Sequence, residues 1–101
     1  MKLMTNEIRK RLPALGATDG TPDPICQVKY FDPSGAGTWF AIEYDQEDTF
    51  FGAVSIQCFE LGYFSLSELE QTTGLLGLHI ERDLYFKPTP LSKIRKQYDR
   101  H

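Results

Sequence analysis

Apolar and polar residues alternate along three consecutive stretches in the first half of the chain. In "ICQVKYF" (residues 25–31), Cys26, Val28 and Tyr30 alternate with Gln27 and Lys29, the period-two pattern of a strand with one solvated face. "TWFAIEYD" (38–45) puts Phe40, Ile42 and Tyr44 on one side, and "FFGAVSIQCF" (50–59) groups Phe50, Val54, Ile56 and Cys58. The first two are joined by "DPSGAG" (32–37), where Pro33 fixes φ and Gly35 and Gly37 tolerate positive φ. The polar "QEDT" (46–49) joins the second to the third. The pattern predicts an antiparallel three-strand meander.

Helical spacing flanks this block. Thr5 is placed to cap a first helix, with Glu7 in its first turn and Met4, Ile8, Leu12 and Leu15 near one face; Pro13 ends or kinks it. "GATDGTPDP" (16–24) is a loop by its Gly, Pro and Asp content. In "GYFSLSELE" (62–70), Ser65 and Glu68 form a Ser-x-x-Glu capping box, Leu66 and Leu69 give the buried face, and Gly74 is a stop. One of Tyr63 and Phe64 is expected to pack as a hydrophobic staple, leaving the other to face a partner beside Glu60. "LHIERDLYF" (78–86) alternates as a further strand. Ser92 is placed to cap a last short helix with Leu91, Ile94 and Tyr98 along one stripe and Lys93, Lys96 and Arg100 opposite. The expected architecture is one α+β domain over residues 1–101: a small antiparallel sheet, a three-strand meander plus a further strand, covered by two or three short helices.

Charge sharpens the functional reading. The net charge is −3, but residues 1–11 and 92–101 are each +3, while residues 12–91 hold three basic residues against 12 acidic ones. A dedicated DNA-binding domain is normally basic overall. An acidic body with two basic ends suits a protein partner, or contact through the ends alone. No apolar run approaches the roughly 20 residues of a membrane-spanning helix, and "MKLMTNEIRKRLP" lacks the apolar stretch of a signal peptide, so a cytoplasmic protein without a membrane partner is expected.

The candidate chemistry is sparse. Cys26 and Cys58 form no Cys-x-x-Cys motif and read as small buried hydrophobes in strands; the sharper alternative, a reactive thiol, has no local base, and a Cys58–His79 nucleophile pair rests on common residue types alone. "SGAGTWF" has Phe40 where a dinucleotide fingerprint needs its third glycine, and it precedes a strand instead of a helix. Asp23 lies too close to Gln27 and Lys29 for a nuclease core. The histidines, His79 and His101, have no converging ligand set, and Glu81 and Asp83 read as a solvated strand edge, so no metal or cofactor is expected. "EYDQED" holds Glu43, Asp45, Glu47 and Asp48; it is either a solvated strand end or an acidic patch for a basic partner surface. Of the aromatics, Trp39 opposes the Phe40–Ile42–Tyr44 face and is the best candidate for an exposed ring.

Taken together, "TNEIRKRLPALGATDG", "PDPICQVKYFDP", "TWFAIEYD", "FFGAVSIQ", "ELGYFSLSELE" and "GLHIERDLYFKPTPLSKI" resemble, in order and spacing, a small bacterial family of unknown function, DUF2958. The resemblance covers roughly residues 3–95. It departs at His79, near which that family typically has a proline. It transfers no catalytic residues. It implies a setting on plasmids, integrative elements and phages, near replication, methylation and antirestriction genes. The expectation is therefore a non-enzymatic interaction protein of a phage or mobile element that binds and inhibits a host-defence complex, as an anti-CRISPR or antirestriction factor. Its candidate partner-binding residues are Trp39, Glu43, Asp45, Glu47, Asp48, Glu60, Tyr63 and Phe64. One alternative is a nucleic-acid accessory protein using exposed aromatics and the basic termini, with Lys93, Lys96 and Arg100. Another is an enzyme with a carboxylate site around Glu60, Glu81 and Asp83.

Overall fold

The structure, a computed structural model, describes residues 1–35 and 37–99. Its centre is a five-stranded antiparallel sheet of β2 (Val28–Phe31), β3 (Thr38–Tyr44), β4 (Thr49–Ser55), β5 (Phe59–Ser65) and β6 (Glu81–Arg82). The spatial order is β5-β4-β3-β2-β6, so β5 and β6 are the edges. A two-stranded ribbon pairs β1 (Ile25–Cys26) with β7 (Thr89–Pro90). Among the described residues there are three short α-helices, α1 (Asn6–Arg11), α2 (Leu66–Gln71) and α3 (Leu91–Tyr98), and a single 3-10 turn at Leu75–Gly77. This is the small α+β fold that the alternation predicts, and its meander is β2-β3-β4, with one strand more than expected between β4 and α2. The expected first strand breaks at Gln27 into β1 and β2, the third ends at Ser55, and Tyr44 lies on the opposite face from Phe40 and Ile42.

Because side chains alternate across a strand, the sheet has two faces, and both are packed. On one face lie Val28, Tyr30, Ala41, Tyr44 and Phe50, covered by Leu3, Met4, Ile8 and Leu12 from the N-terminal segment and by Leu66 and Leu69 of α2. Phe50 is fully buried and is flanked by the rings of Tyr44 (4.6 Å) and Phe64 (5.0 Å). On the other face, Phe40, Ile42, Ala53 and Cys26 pack under Leu91 and Ile94 of α3. The two faces explain why the apolar residues of β3 outnumber a strict alternation: its last five residues are all buried.

A β-bulge in β3 shifts the register between Ala41 and Glu43. The extra residue puts Ile42 and Glu43 both below 4% exposure. Gly52 lies opposite Ala41, where a Cβ would fall 1.8 Å from the Phe40 carbonyl oxygen, so the strand crossing requires glycine there.

The helix ends show where side-chain chemistry sets the boundaries. The hydroxyl of Thr5 accepts the Ile8 N–H (3.2 Å), and α1 stops before Pro13. The Ser65 hydroxyl accepts the Glu68 N–H (3.2 Å), as the capping box predicts. For α3 the expectation fails in detail. Pro90 occupies the cap position, and Asp23 from the preceding loop accepts both the Ser92 N–H (2.9 Å) and its hydroxyl (2.7 Å). A carboxylate from elsewhere in the chain substitutes for the local cap.

Two further expectations are corrected. Residues 78–86 do not form one strand: β6 is only Glu81–Arg82, and a turn follows. Cys58 is not in a strand but exposed in the β4–β5 turn, whereas Cys26 is buried as expected. No helix among the described residues is long and apolar enough to cross a membrane.

Candidate functional site

Most of the acidic stretch predicted as a partner surface is engaged in hydrogen bonds within the chain, and Glu43 alone of its four acids is buried. The buried Glu43 carboxylate accepts N–H groups from Gly16 (2.8 Å) and Thr18 (2.9 Å) and the Thr18 hydroxyl. Burial alone would raise its pKa, but these hydrogen bonds outweigh burial and hold it below the usual range. Asp45 accepts the N–H groups of Glu47, Asp48 and Thr49, closing the β3–β4 turn. Asp48 accepts the Ser65 hydroxyl (2.5 Å), the Ser67 N–H (2.8 Å) and the Ser67 hydroxyl (2.8 Å) at the start of α2. The Ser65 hydroxyl is the main cause that depresses the Asp48 pKa; the Thr49 N–H leads for Asp45. Three of the four acids thus fix turns and a helix start, and Glu47 stands exposed.

The aromatic candidates separate. Phe64 stacks on Phe50 as the inward-facing ring, while Tyr63 is 70% exposed on the opposite face of β5. Trp39 is not the exposed ring: it is half-buried against the first core cluster. Trp39 and Glu60 share a face through Val54, two strands apart, about 10 Å. Tyr63 points away from both. The expected partner residues therefore do not make one patch.

Nor do the other predicted groupings converge. Glu60 lies on β5 and Glu81 on β6, at opposite edges of a five-stranded sheet, about 19 Å apart by strand spacing. Asp83 is held by Lys29 (3.6 Å). Cys58 and His79 fall at the same two opposite ends of the sheet, His79 beside β6 in a bridge to Thr73. Among the described residues, no cluster of three His, Cys, Asp or Glu side chains could hold a metal. On α3, Lys93 and Lys96 are exposed, as is Arg95, which lies over the Phe59 ring at 5.3 Å. Arg100 and His101 lie outside the described residues.

The most distinctive surface is one that alternation alone misread. After β6, the Asp83 N–H donates to the Lys29 carbonyl (2.9 Å), which ends the strand pairing. The Asp83 carboxylate then accepts the Tyr85 N–H (2.9 Å), and its carbonyl accepts the Phe86 N–H (3.3 Å). This Asx-type turn carries Leu84 (63% exposed) and Tyr85 (93% exposed) outward. Phe86 returns to the core against Phe40 (5.8 Å).

Beside the turn, Arg82 borders two hollows. One, about 590 Å³, is lined by α1 residues including Arg11 and by Asp83, Leu84 and Lys87. The other, about 280 Å³, is lined by Met1, Phe31, Leu84 and Tyr85. The Nη1 atom of Arg82 is shut off from solvent without a hydrogen-bond partner among the described residues. A buried guanidinium nitrogen without an acceptor costs about 1–3 kcal/mol, and such groups are rare in folded proteins. The sequence signal for this turn was Asp83 two residues before Tyr85, with Pro88 close behind; both oppose a continuous strand.

No curated protein and no solved structure matches the chain. A family model matches residues 3–100, nearly its whole length, and the protein belongs to that family, described as a protein of unknown function, DUF2958.

Proposed function

We propose that the protein is a non-enzymatic interaction protein that engages another protein through the turn after β6. One observation carries this reading: a hydrogen-bonded turn presents a 93% exposed Tyr85 and a 63% exposed Leu84 beside Arg82. Tyrosine and arginine are the residue types that dominate binding energy at protein interfaces. The turn is braced by Asp83, so little conformational freedom is lost on binding. The partner chemistry that fits is an apolar or aromatic pocket for Tyr85 and Leu84, with an acidic rim facing the basic residues that border the hollows beside the turn, Arg82 and Lys87 among them.

The mobile-element setting that the resemblance implies points to a host-defence effector as that partner, with inhibition by occlusion. The test is immunity in cells that express the protein. Wild-type protein is expected to lower restriction or CRISPR immunity, and an Arg82→Ala, Tyr85→Ala double variant, present at equal abundance, to restore it. Undiminished immunity of both kinds in cells containing the wild-type protein refutes the effector reading. The alternative, nucleic acid at the exposed Lys93 and Lys96 of α3, predicts instead a salt-dependent gel shift that is lost when these lysines are neutralised.

A further inference from the structure

We propose that β5 pairs antiparallel with β5 of a second copy, about a two-fold axis through Gly62, joining two five-stranded sheets into one. The surface is distinct from the β6 turn and stands whatever that turn binds.

β5 is seven residues long and lies at the sheet edge. Edge strands are normally guarded by lysine, proline, a bulge or shortness. The other edge, β6, is short, at two residues. "FELGYFS" has neither lysine nor proline, and its pairing with β4 runs without a register shift. Leu61 is 43% exposed and Tyr63 70%, on one face of the strand.

The direction of the backbone groups follows from hydrogen bonds on the neighbouring strands. The Asp45 N–H donates to the Thr49 carbonyl (3.0 Å), so Thr49 points its backbone towards β3. The Leu66 N–H donates to the Asp48 carbonyl (2.8 Å), so Asp48 and Leu66 point towards each other. With a period of two, Phe50, Gly52 and Val54 face β5 and meet Phe64, Gly62 and Glu60. Phe59, Leu61, Tyr63 and Ser65 therefore turn their N–H and C=O groups outward.

Self-pairing must match outward groups with outward groups. A two-fold axis through Gly62 does so and uses all seven residues. Leu61 then opposes Tyr63 of the partner subunit, and Phe59 opposes Ser65 of the partner subunit, each as a hydrogen-bonded pair. The two side chains that the monomer leaves exposed cover each other. Glu60, the single charge on the strand, opposes Phe64 of the partner subunit, so no like charges meet. An axis through Glu60 would set the two glutamates face to face, and axes through Leu61 or Tyr63 shorten the overlap. The strand is thus complementary to itself in charge, in size and in hydrogen-bond phase. One strand pair is small beside the about 800 Å² per partner of a standard interface, so the dimer is weak, with a Kd in the range of about 1–100 µM.

The test is sedimentation of the full chain from about 1 µM to about 500 µM. A concentration-dependent dimer is expected, weakened at least about tenfold by Leu61→Lys or Tyr63→Lys, both at exposed positions that leave the fold intact. The register is read by oxidation in a Cys58→Ser background. Gly62→Cys places two Cα atoms about 4.5 Å apart across a non-hydrogen-bonded pair, within disulfide reach, and a Cβ there meets nothing within 4 Å. Gly62→Cys is expected to form a covalent dimer, and Leu61→Cys, opposite tyrosine, is not. A monomer at every concentration overturns the proposal. So does a dimer indifferent to both lysine variants, or a covalent dimer from Leu61→Cys but not from Gly62→Cys.

Discussion

Replacing Glu43 by alanine separates a structural acid from a partner-binding one. The carboxylate holds the Gly16 and Thr18 N–H groups and the Thr18 hydroxyl, and Glu43 is 3% exposed. Hydrogen bonds to a charged group contribute about 1.5–3 kcal/mol, but Gly16 is exposed and Thr18 half-buried, so water replaces part of the loss. The net cost is about 2–3 kcal/mol, which lowers Tm by about 10–20 °C in a domain of this size. Glu43→Gln keeps the volume and one acceptor, and is expected to cost about 1 kcal/mol. The exposed Glu47→Ala is the control, expected within about 0.5 kcal/mol of wild type. Urea unfolding followed by tryptophan fluorescence reads all three. If Glu43→Ala costs less than about 0.5 kcal/mol, the carboxylate does not staple the loop, and the acidic stretch returns as a candidate partner surface.

Acid should destabilise the fold in a defined window. Asp23, Glu43, Asp45 and Asp48 all have depressed pKa values in the folded protein. A depressed carboxylate contributes stability that is present above its unfolded pKa and lost as pH falls through the folded one, so the urea midpoint should hold from about pH 7 to pH 5 and drop below about pH 4; a midpoint unchanged at about pH 3 contradicts this. With a thiol reagent, Cys58 should react and Cys26 should not, because Cys26 is buried and pushed up to about 12. Glu60 raises the Cys58 pKa, so Glu60→Gln should speed labelling severalfold at mildly alkaline pH, and an unchanged rate would deny the coupling. Gly52→Ala should cost about 3 kcal/mol or more, since its Cβ collides with the Phe40 carbonyl oxygen; a near-neutral result in the urea melt would mean that the bulge can shift.

The meander was legible because its strands carry turn chemistry between them and alternation within them. Ser65 was legible as a cap because its geometry is local. β5 was hidden by its own exposure: Phe59, Leu61 and Tyr63 share the face on which α3 packs, but only Phe59 reaches the helix, so Leu61 and Tyr63 are apolar yet exposed and apolar and polar positions do not sort by burial. The acids misled for a related reason. Charge along the chain does not reveal that Glu43 reaches a loop 25 residues away, or that Asp48 reaches α2. The bulge in β3, which turns Glu43 inward, leaves no periodic signal. Asp23 capping α3 from 69 residues away is equally nonlocal. The β6 turn lay inside "IERDLYF", one of the strings that carry the family resemblance, but alternation read it as strand.

The central claim is that the protein works by contact through the Arg82–Tyr85 turn. A photo-cross-linking amino acid placed at position 85, in cells that carry the protein's natural targets, tests it most directly. Position 68 on α2, also exposed, serves as the control. A discrete adduct with one partner protein from position 85, absent from position 68 and lost on adding Arg82→Ala, is the predicted result. No adduct from position 85, or the same adducts from both positions, would contradict it.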